Sequence, residues 1–352
     1  MNSDDAPNLL FSDFFGIDKS LLDKEGLFDI SLVADLPLFI DPFLLFNSKK
    51  PEYQKLHTEI ISYLGFLKNK SISGNINSGL LSSLYKFSEV RQNWLGFSQN
   101  GNSGSGLGDD FAKSLNNNFS QIFSNYGDEQ ITNSAHLEKL CLIKDYVGKD
   151  NISDFTTNLI KNYLCALTEN FAKKYIDSKL CDSFRVQKAE FVYDTESWAD
   201  REFFLPRFGN NPDDYVILTP KDMLAKEDTW INRSDLVKEF FALPYSIQNN
   251  ELRAKLNNYL DRVLSEKPTQ KEKGETARNA IWEFPELIDY YIRLKEDRGD
   301  RAESISSQRV AFSEDLYLEK FKTLSMLLSK TPFFKLYKTD SYDEALERAQ
   351  FL

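Results

Sequence analysis

The sequence predicts a mainly α-helical chain with a little β structure, α+β overall: a helical, bundle-like N-terminal domain, a small antiparallel β meander and a helical C-terminal part. Three observations predict it. Apolar residues recur at i, i+4 spacing through 51–68 and again through 153–176. Just past Cys181 the composition shifts to runs rich in Val, Tyr and Phe separated by turn residues. Helical spacing then resumes in several segments from Arg233 onward. The expected division is a helical domain over 1–180, a meander plus helices over 181–264, a charged linker or loop over 265–279 and a helical region over 280–352.

In chain order, residues 1–50 alternate short apolar runs with breakers, and Leu36-Pro37 and Asp41-Pro42 stop helix before each proline. Turns and short helices wrapped on a core are expected. Pro51 suits a first helical turn, and Leu56, Ile60, Leu64 and Leu67 form one stripe, so 51–68 reads as a helix. The small polar stretch 69–83 reads as a loop, as does 98–110, which leads into a helix carrying Phe111, Leu115, Phe119, Ile122 and Phe123. Another helix is expected over 134–148. A single helix of almost six turns follows, with Phe155, Leu159, Tyr163, Leu167, Phe171 and Tyr175 on one face and Ser153 or Asp154 as its cap.

Residues 184–194, 201–208 and 213–220 read as two or three strands. Helices are expected in RSDLVKEFFAL, NNELRAKLNNYLDRVL, PELIDYYIRLKE and SEDLYLEKFKTLSMLLSK, and the charged stretch between the second and third has little to bury. Ser341 and Glu344 have capping-box spacing, so a helix is expected from Tyr342, and it runs to Phe351-Leu352 without a cap. That leaves two readings, a terminal helix docked on the body or a fragment of a longer protein.

Composition limits the function. The 352 residues, 41% hydrophobic, suffice for two or three domains with a real core. Lys plus Arg number 43 against 54 Asp plus Glu, a net charge of -11, which excludes a basic coat for nucleic acid and leaves only local polyanion contacts. The chain opens without a basic n-region or apolar h-region, and no stretch reaches 18 uncharged apolar residues, so a soluble, cytoplasmic protein with no membrane partner is expected. Cys141, Cys165 and Cys181 are odd in number and too far apart for a zinc knuckle, and read as buried thiols. His57 and His136 are the only histidines; neither has a recognisable Ser or Cys partner, and no metal site is expected from them.

Four features merit a chemical test. The loop with Gly101, Gly104, Gly106 and Gly108 lacks a GK[ST] ending, and Asp109-Asp110 occupy the helix start where phosphate would sit, so a surface loop is the better reading. Asp213, Asp214, Lys221 and Asp222 are weak catalytic candidates for a Mg2+-dependent nuclease, which needs clustered carboxylates and a lysine at a strand end. Their spacing does not match, because no acid stands two residues before Lys221. The turn Asp145 to Asp154 holds three acids and Lys149, but it is better explained as a helix end at Gly148 and the cap of the next helix. Residues 221–352 carry 22 basic against 24 acidic residues, the first 220 carry 21 against 30, and Arg298, Arg301 and Arg309 cluster in the less acidic part as candidate phosphate contacts on a charged loop.

The strings DISLVADLPLFIDPFLLFNSKKPEYQKLH, NWLGFSQNGNSGSGLGDDFAKSL, GKDNISDFTTNLIKNYL and DYVILTPKDMLAKEDTWIN resemble a poorly characterised group of bacterial proteins from phage-defence and mobile-element neighbourhoods. Longer members of that group continue past a segment like SYDEALERAQFL into a nuclease-like domain of PD-(D/E)XK type. This sequence lacks that motif, so no catalytic residue carries over. The resemblance implies a sensor or scaffold region of an antiviral defence protein whose nuclease lies outside this chain, with an effector protein or a phage component as partner. The alternatives are a self-contained Mg2+-dependent nuclease near Asp213 and Lys221, needing no other cofactor, and a protein-interaction subunit of a defence complex, which includes a homo-oligomer.

Overall fold

The computed structural model describes residues 10–32, 35–74, 76–96, 107–119, 126–127, 129–143, 148–209 and 211–329. As the breakers dictate, the front of the chain forms short elements: α1 (Phe11–Phe15), α2 (Lys19–Lys24), strand β1 (Leu38–Ile40) and α3 (Pro42–Asn47). Asp18 accepts from Ser20 N and Asp41 from Phe43 N, so each caps the helix that follows it. Buried Asp29 accepts from both Ser12 N and Ser12 Oγ, at 3.0 and 2.7 Å, which holds α1 against the turn after α2.

The long helix α4 (Pro51–Ile72) buries Tyr53, Leu56, Ile60, Leu64 and Leu67 on the expected stripe. It runs past the expected end at 68, and the second half of the expected loop over 69–83 belongs to α5 (Ser78–Tyr85). The small polar residues there hide a helical pair, Leu84 and Tyr85, both buried. Asn77 caps α5 by accepting from Leu80 N, and Tyr85 donates to Leu67 O at 2.9 Å, tying α5 to α4. Helix α6 (Asp109–Phe119) starts where the Gly-rich loop ends; Gly101, Gly104 and Gly106 lie outside the described residues.

Of the helix expected over 134–148, only α7 (Lys139–Ile143) is helical among the described residues: 134–138 form bends and turns before it, and 144–147 lie outside the described residues. The six-turn helix expected after it is two helices, α8 (Lys149–Leu159) and α9 (Lys161–Tyr175), broken at Ile160 with φ -101° and ψ 10°. The apolar stripe passes through the break unchanged, so spacing alone does not reveal it. Neither Ser153 nor Asp154 caps α8. Gly148 takes the cap position, donating its N–H to Asn151 Oδ1, while Ser153 Oγ accepts from Ile40 N at 2.9 Å and anchors β1.

Strands β2 (Cys181–Val192) and β3 (Ser197–Pro206) form the expected antiparallel hairpin, with an irregularity between Val186 and Glu190. Lys188 sits inside it at φ 46° and is held by its N–H donating to Asp200 Oδ1. The third run, 213–220, is extended but is not a strand of this sheet. Val216, Ile217 and Leu218 are wholly buried, and their N–H groups go in turn to Pro206 O, Gln92 O and Thr168 Oγ1. Three different acceptors satisfy this backbone where one neighbouring strand was expected. The chain then forms β4 (Leu224–Lys226), which pairs antiparallel with β1 in the register Phe39 to Ala225. The expected first and second domains thus share a two-stranded sheet, and one continuous apolar core runs from Phe11 to Val310.

The C-terminal part is helical: α10 (Arg233–Glu239), α11 (Leu243–Ser246), α12 (Asn250–Val263), α13 (Gln270–Glu283), α14 (Leu287–Glu296) and α15 (Gly299–Ser329). The expected linker at 265–279 is largely α13. Thr269 and Glu272 form its capping box, and it packs through Thr276, Ala277, Ala280 and Ile281, of which only Ile281, just past the expected linker, is large enough to register as apolar. Helix α15 begins well before Ser313, so Arg301 and Arg309 lie on a helix and not on the expected charged loop. Its inner face is equally small, with Ala302 buried and Ser306 Oγ donating to Leu224 O. The expected helix at 342–352 lies outside the described residues. The fold is therefore mainly helical with two small antiparallel sheets, and among the described residues no helix is long and apolar enough to cross a membrane.

Candidate functional site

The four nuclease candidates do not converge. Asp214 Oδ2 accepts from both the backbone and the side chain of Asn211, closing a local turn, and Asp213 offers its carbonyl to Gln92 Nε2. Lys221 points elsewhere, its ammonium 2.6 Å from Asp23 Oδ1 and 2.7 Å from Glu314 Oε2, so it bridges α2 to α15. Asp222 accepts from Tyr53 OH at 2.6 Å and from Lys50 Nζ at 2.5 Å, fastening the turn before β4 to α4. Each side chain serves a different tertiary contact. Among the described residues no group of three or more His, Cys, Asp or Glu is placed to hold a metal ion.

The three arginines do converge. Arg298, Arg301 and Arg309 line one cleft of about 460 Å³, walled by β4, α10, the end of α14 and the first turns of α15, with Lys226, Lys238 and Lys295 also on its walls. Their pairing differs. Lys295 is buried, 2.7 Å from Asp235 and with its ammonium 3.8 Å above the Trp230 ring, so it is part of the wall. Arg298 and Arg309 reach Glu239 and Glu227 only at 3.5 and 3.6 Å, with half-exposed side chains. Exposed pairs this loose contribute little stability and open readily. Arg301 has no carboxylate partner among the described residues. The cleft thus presents three forked, permanently charged donors whose existing contacts a phosphate can replace. The spread of charge explains why composition shows so little of it: Glu227, Asp228, Asp235 and Glu239 stand on the same walls.

Behind the cleft floor lies a buried polar network that the sequence did not indicate. Asp41 Oδ2 accepts from Trp230 N at 2.6 Å while Oδ1 accepts from Phe43 N. Burial pushes the Asp41 carboxyl up to about 6, and burial with Asp41 beside it raises Glu138 as well. Next to Glu138, His136 Nε2 stands 2.8 Å from Glu296 Oε1, and the same carboxylate accepts from Asn133 N and Ser134 N. The His57 ring packs 5.8 Å from His136, and Ser134 Oγ is 3.0 Å from His57 Nε2.

A Ser–His contact therefore exists where none was expected. It does not form a hydrolase triad: His57 Nδ1 has no hydrogen-bond partner among the described residues, so no acid orients the ring, and desolvation holds the imidazole down to about 3. The only signal for this network was the scarcity of histidine, since its members lie up to 255 positions apart in sequence, from Asp41 to Glu296. Of the acidic turn from Asp145, residues 145–147 are outside the described set. Asp154 is pushed up to about 7 by burial and then by Glu89 and Asp150.

The candidate site thus consists of the arginine cleft and its buried polar floor, assembled from both halves of the chain. Neither a curated protein nor a solved structure matches the chain. A family model described as a domain of unknown function matches residues 16–232, more than half of its length, which takes in His57, His136, Asp213 and Lys221 but stops short of Arg298, Arg301 and Arg309. The chain belongs to the DUF8370 family.

Proposed function

We propose that this chain is the sensor or scaffold region of a bacterial antiviral defence protein, that its ligand is nucleic acid held by phosphate contacts in the arginine cleft, and that the associated nuclease lies outside the chain. The observation that carries the reading is the convergence of Arg298, Arg301 and Arg309 on one concave surface, with weak or absent carboxylate pairing. Guanidinium forks facing an open cleft suit phosphate oxygens, and they supply binding without chemistry. The commitment of Lys221 and Asp222 to ion pairs between distant elements supports a recognition role over a catalytic one for the remaining candidates.

The test is incubation of the chain with supercoiled plasmid and Mg2+. The reading expects intact plasmid together with retention on a nucleic-acid filter that falls as salt rises. Cleavage that disappears in Lys221→Ala would replace it with the self-contained nuclease.

A further inference from the structure

We infer that the cleft takes single-stranded nucleic acid and not duplex, with an unpaired base seated on Phe312 and the adjoining phosphates on Arg309 and Arg301. This rests on the nucleic-acid reading above and adds the form of the ligand.

Phe312 is 64% exposed, one of four exposed aromatic side chains among the described residues, with Tyr193, Tyr245 and Trp282. One exposed phenylalanine means little by itself. Its position is what matters. It lies three residues beyond Arg309 on α15, so the two side chains are neighbours on one helix face, and Lys226 from the cleft wall places its ammonium 5.4 Å from the ring centre. An exposed ring between an arginine and a lysine is the arrangement that holds an unpaired nucleotide, the ring stacking on the base and the cations taking its phosphates. Eight residues of helix put Arg301 about 12 Å from Arg309 along the axis, so the strand has a second phosphate contact further into the cleft.

The same geometry disfavours duplex. Paired bases are stacked inside the double helix, out of reach of Phe312. A rigid duplex also brings its phosphates against Glu227 and Glu239 as well as against the arginines, because acids and cations share the walls. A flexible strand turns its phosphates toward Arg301 and Arg309 and away from the acids. Being exposed, Phe312 is replaceable without loss of core, so the test does not depend on a destabilised variant.

Fluorescence anisotropy at low salt with a labelled single strand of about a dozen nucleotides, as DNA and as RNA, and with the matching duplex, decides the matter. The full chain should bind the single strand at least about tenfold more tightly than the duplex. Phe312→Ala should lose about tenfold on the single strand only, Phe312→Tyr should retain it, and Arg301→Ala should weaken both forms. Equal affinity for the two forms with no effect of Phe312→Ala overturns the single-strand inference and leaves the arginine cleft standing if Arg301→Ala still weakens binding. Absence of binding, or indifference to Arg301→Ala, overturns the cleft reading and this inference together. Displacement of the strand by an equimolar free nucleotide also overturns the strand and assigns the cleft to nucleotides.

Discussion

His136 Nε2 and Glu296 Oε1 stand 2.8 Å apart, both buried, and fasten the segment before α7 to the last turn of α14. Glu296 also accepts from Asn133 N and Ser134 N, so one carboxylate satisfies three donors. Glu296→Ala strands the buried His136 ring and releases the Asn133 and Ser134 N–H groups nearer the surface, and should destabilise the fold by about 3 kcal/mol. Glu296→Gln keeps the size and one acceptor oxygen and should cost less. Urea denaturation of both variants at neutral pH measures the difference; an alanine variant within about 0.5 kcal/mol of wild type contradicts the role given to the pair.

The buried His57 makes stability depend on acid. Its imidazole is held down to about 3 in the fold against 6.5 ordinarily, first by desolvation and then by His136 beside it. The unfolded chain binds this proton more readily than the folded one. The contribution is therefore complete above about pH 6.5 and is lost progressively as pH falls toward 3, at up to about 1.4 kcal/mol per pH unit. His57→Gln should lose less stability between about pH 6 and pH 4 than wild type does, as read from denaturation midpoints. Parallel pH profiles would show that His57 stays neutral for no energetic reason.

Asp154 gives the opposite slope. Burial, with Glu89 and Asp150 adding to it, pushes its carboxyl up to about 7, so the folded chain holds the proton more firmly than the unfolded one. Stability from this group is complete below the ordinary 3.8 and is lost as pH rises through 7. Asp154→Asn should raise Tm by a few degrees at about pH 8 and leave it unchanged near pH 4. A gain of equal size at both pH values would point to a cause other than the charge.

These groups mark the limit of what sequence reading reached. Residues in one helix with large apolar side chains were legible in part: the stripe Leu56, Ile60, Leu64 and Leu67 of α4 is buried as expected, while of the α12 face Leu252, Leu256, Tyr259 and Val263 that spacing predicts, Leu256 and Tyr259 are buried, Leu252 is half-buried and Val263 is exposed. Helices that pack through small residues were not, as Ala277 and Ala280 of α13 and Ala302 of α15 show. The pairing of β1 with β4 joins three-residue strands nearly 190 positions apart, too short for alternation to show. At the site, the spacing of Arg298, Arg301 and Arg309 was visible, but their grouping depends on α15 starting at Gly299 and on β4 and α10 completing the cleft. Asp213 and Lys221 are close in sequence, yet Lys221 is drawn away by Asp23 and Glu314, which nothing local encodes.

Because Lys221 bridges α2 to α15, its removal is a structural event. Lys221→Ala leaves Asp23 and the less exposed Glu314 without this cation, although Lys19 still reaches both, so the cost should stay near 1 kcal/mol. Thermal unfolding should show a small drop in Tm with no change in nucleic-acid retention. A large loss of binding with unchanged Tm would move Lys221 into the ligand site.

The salt dependence of nucleic-acid binding tests the central claim most directly. Each phosphate contact removed lowers the slope of log K against log salt by about 0.7 for a single strand. The variant carrying Arg298→Ala, Arg301→Ala and Arg309→Ala together should therefore show a slope shallower by about 2 than wild type, with Tm little changed. An unchanged slope would place the phosphate contacts elsewhere on the molecule and contradict the assignment of the cleft.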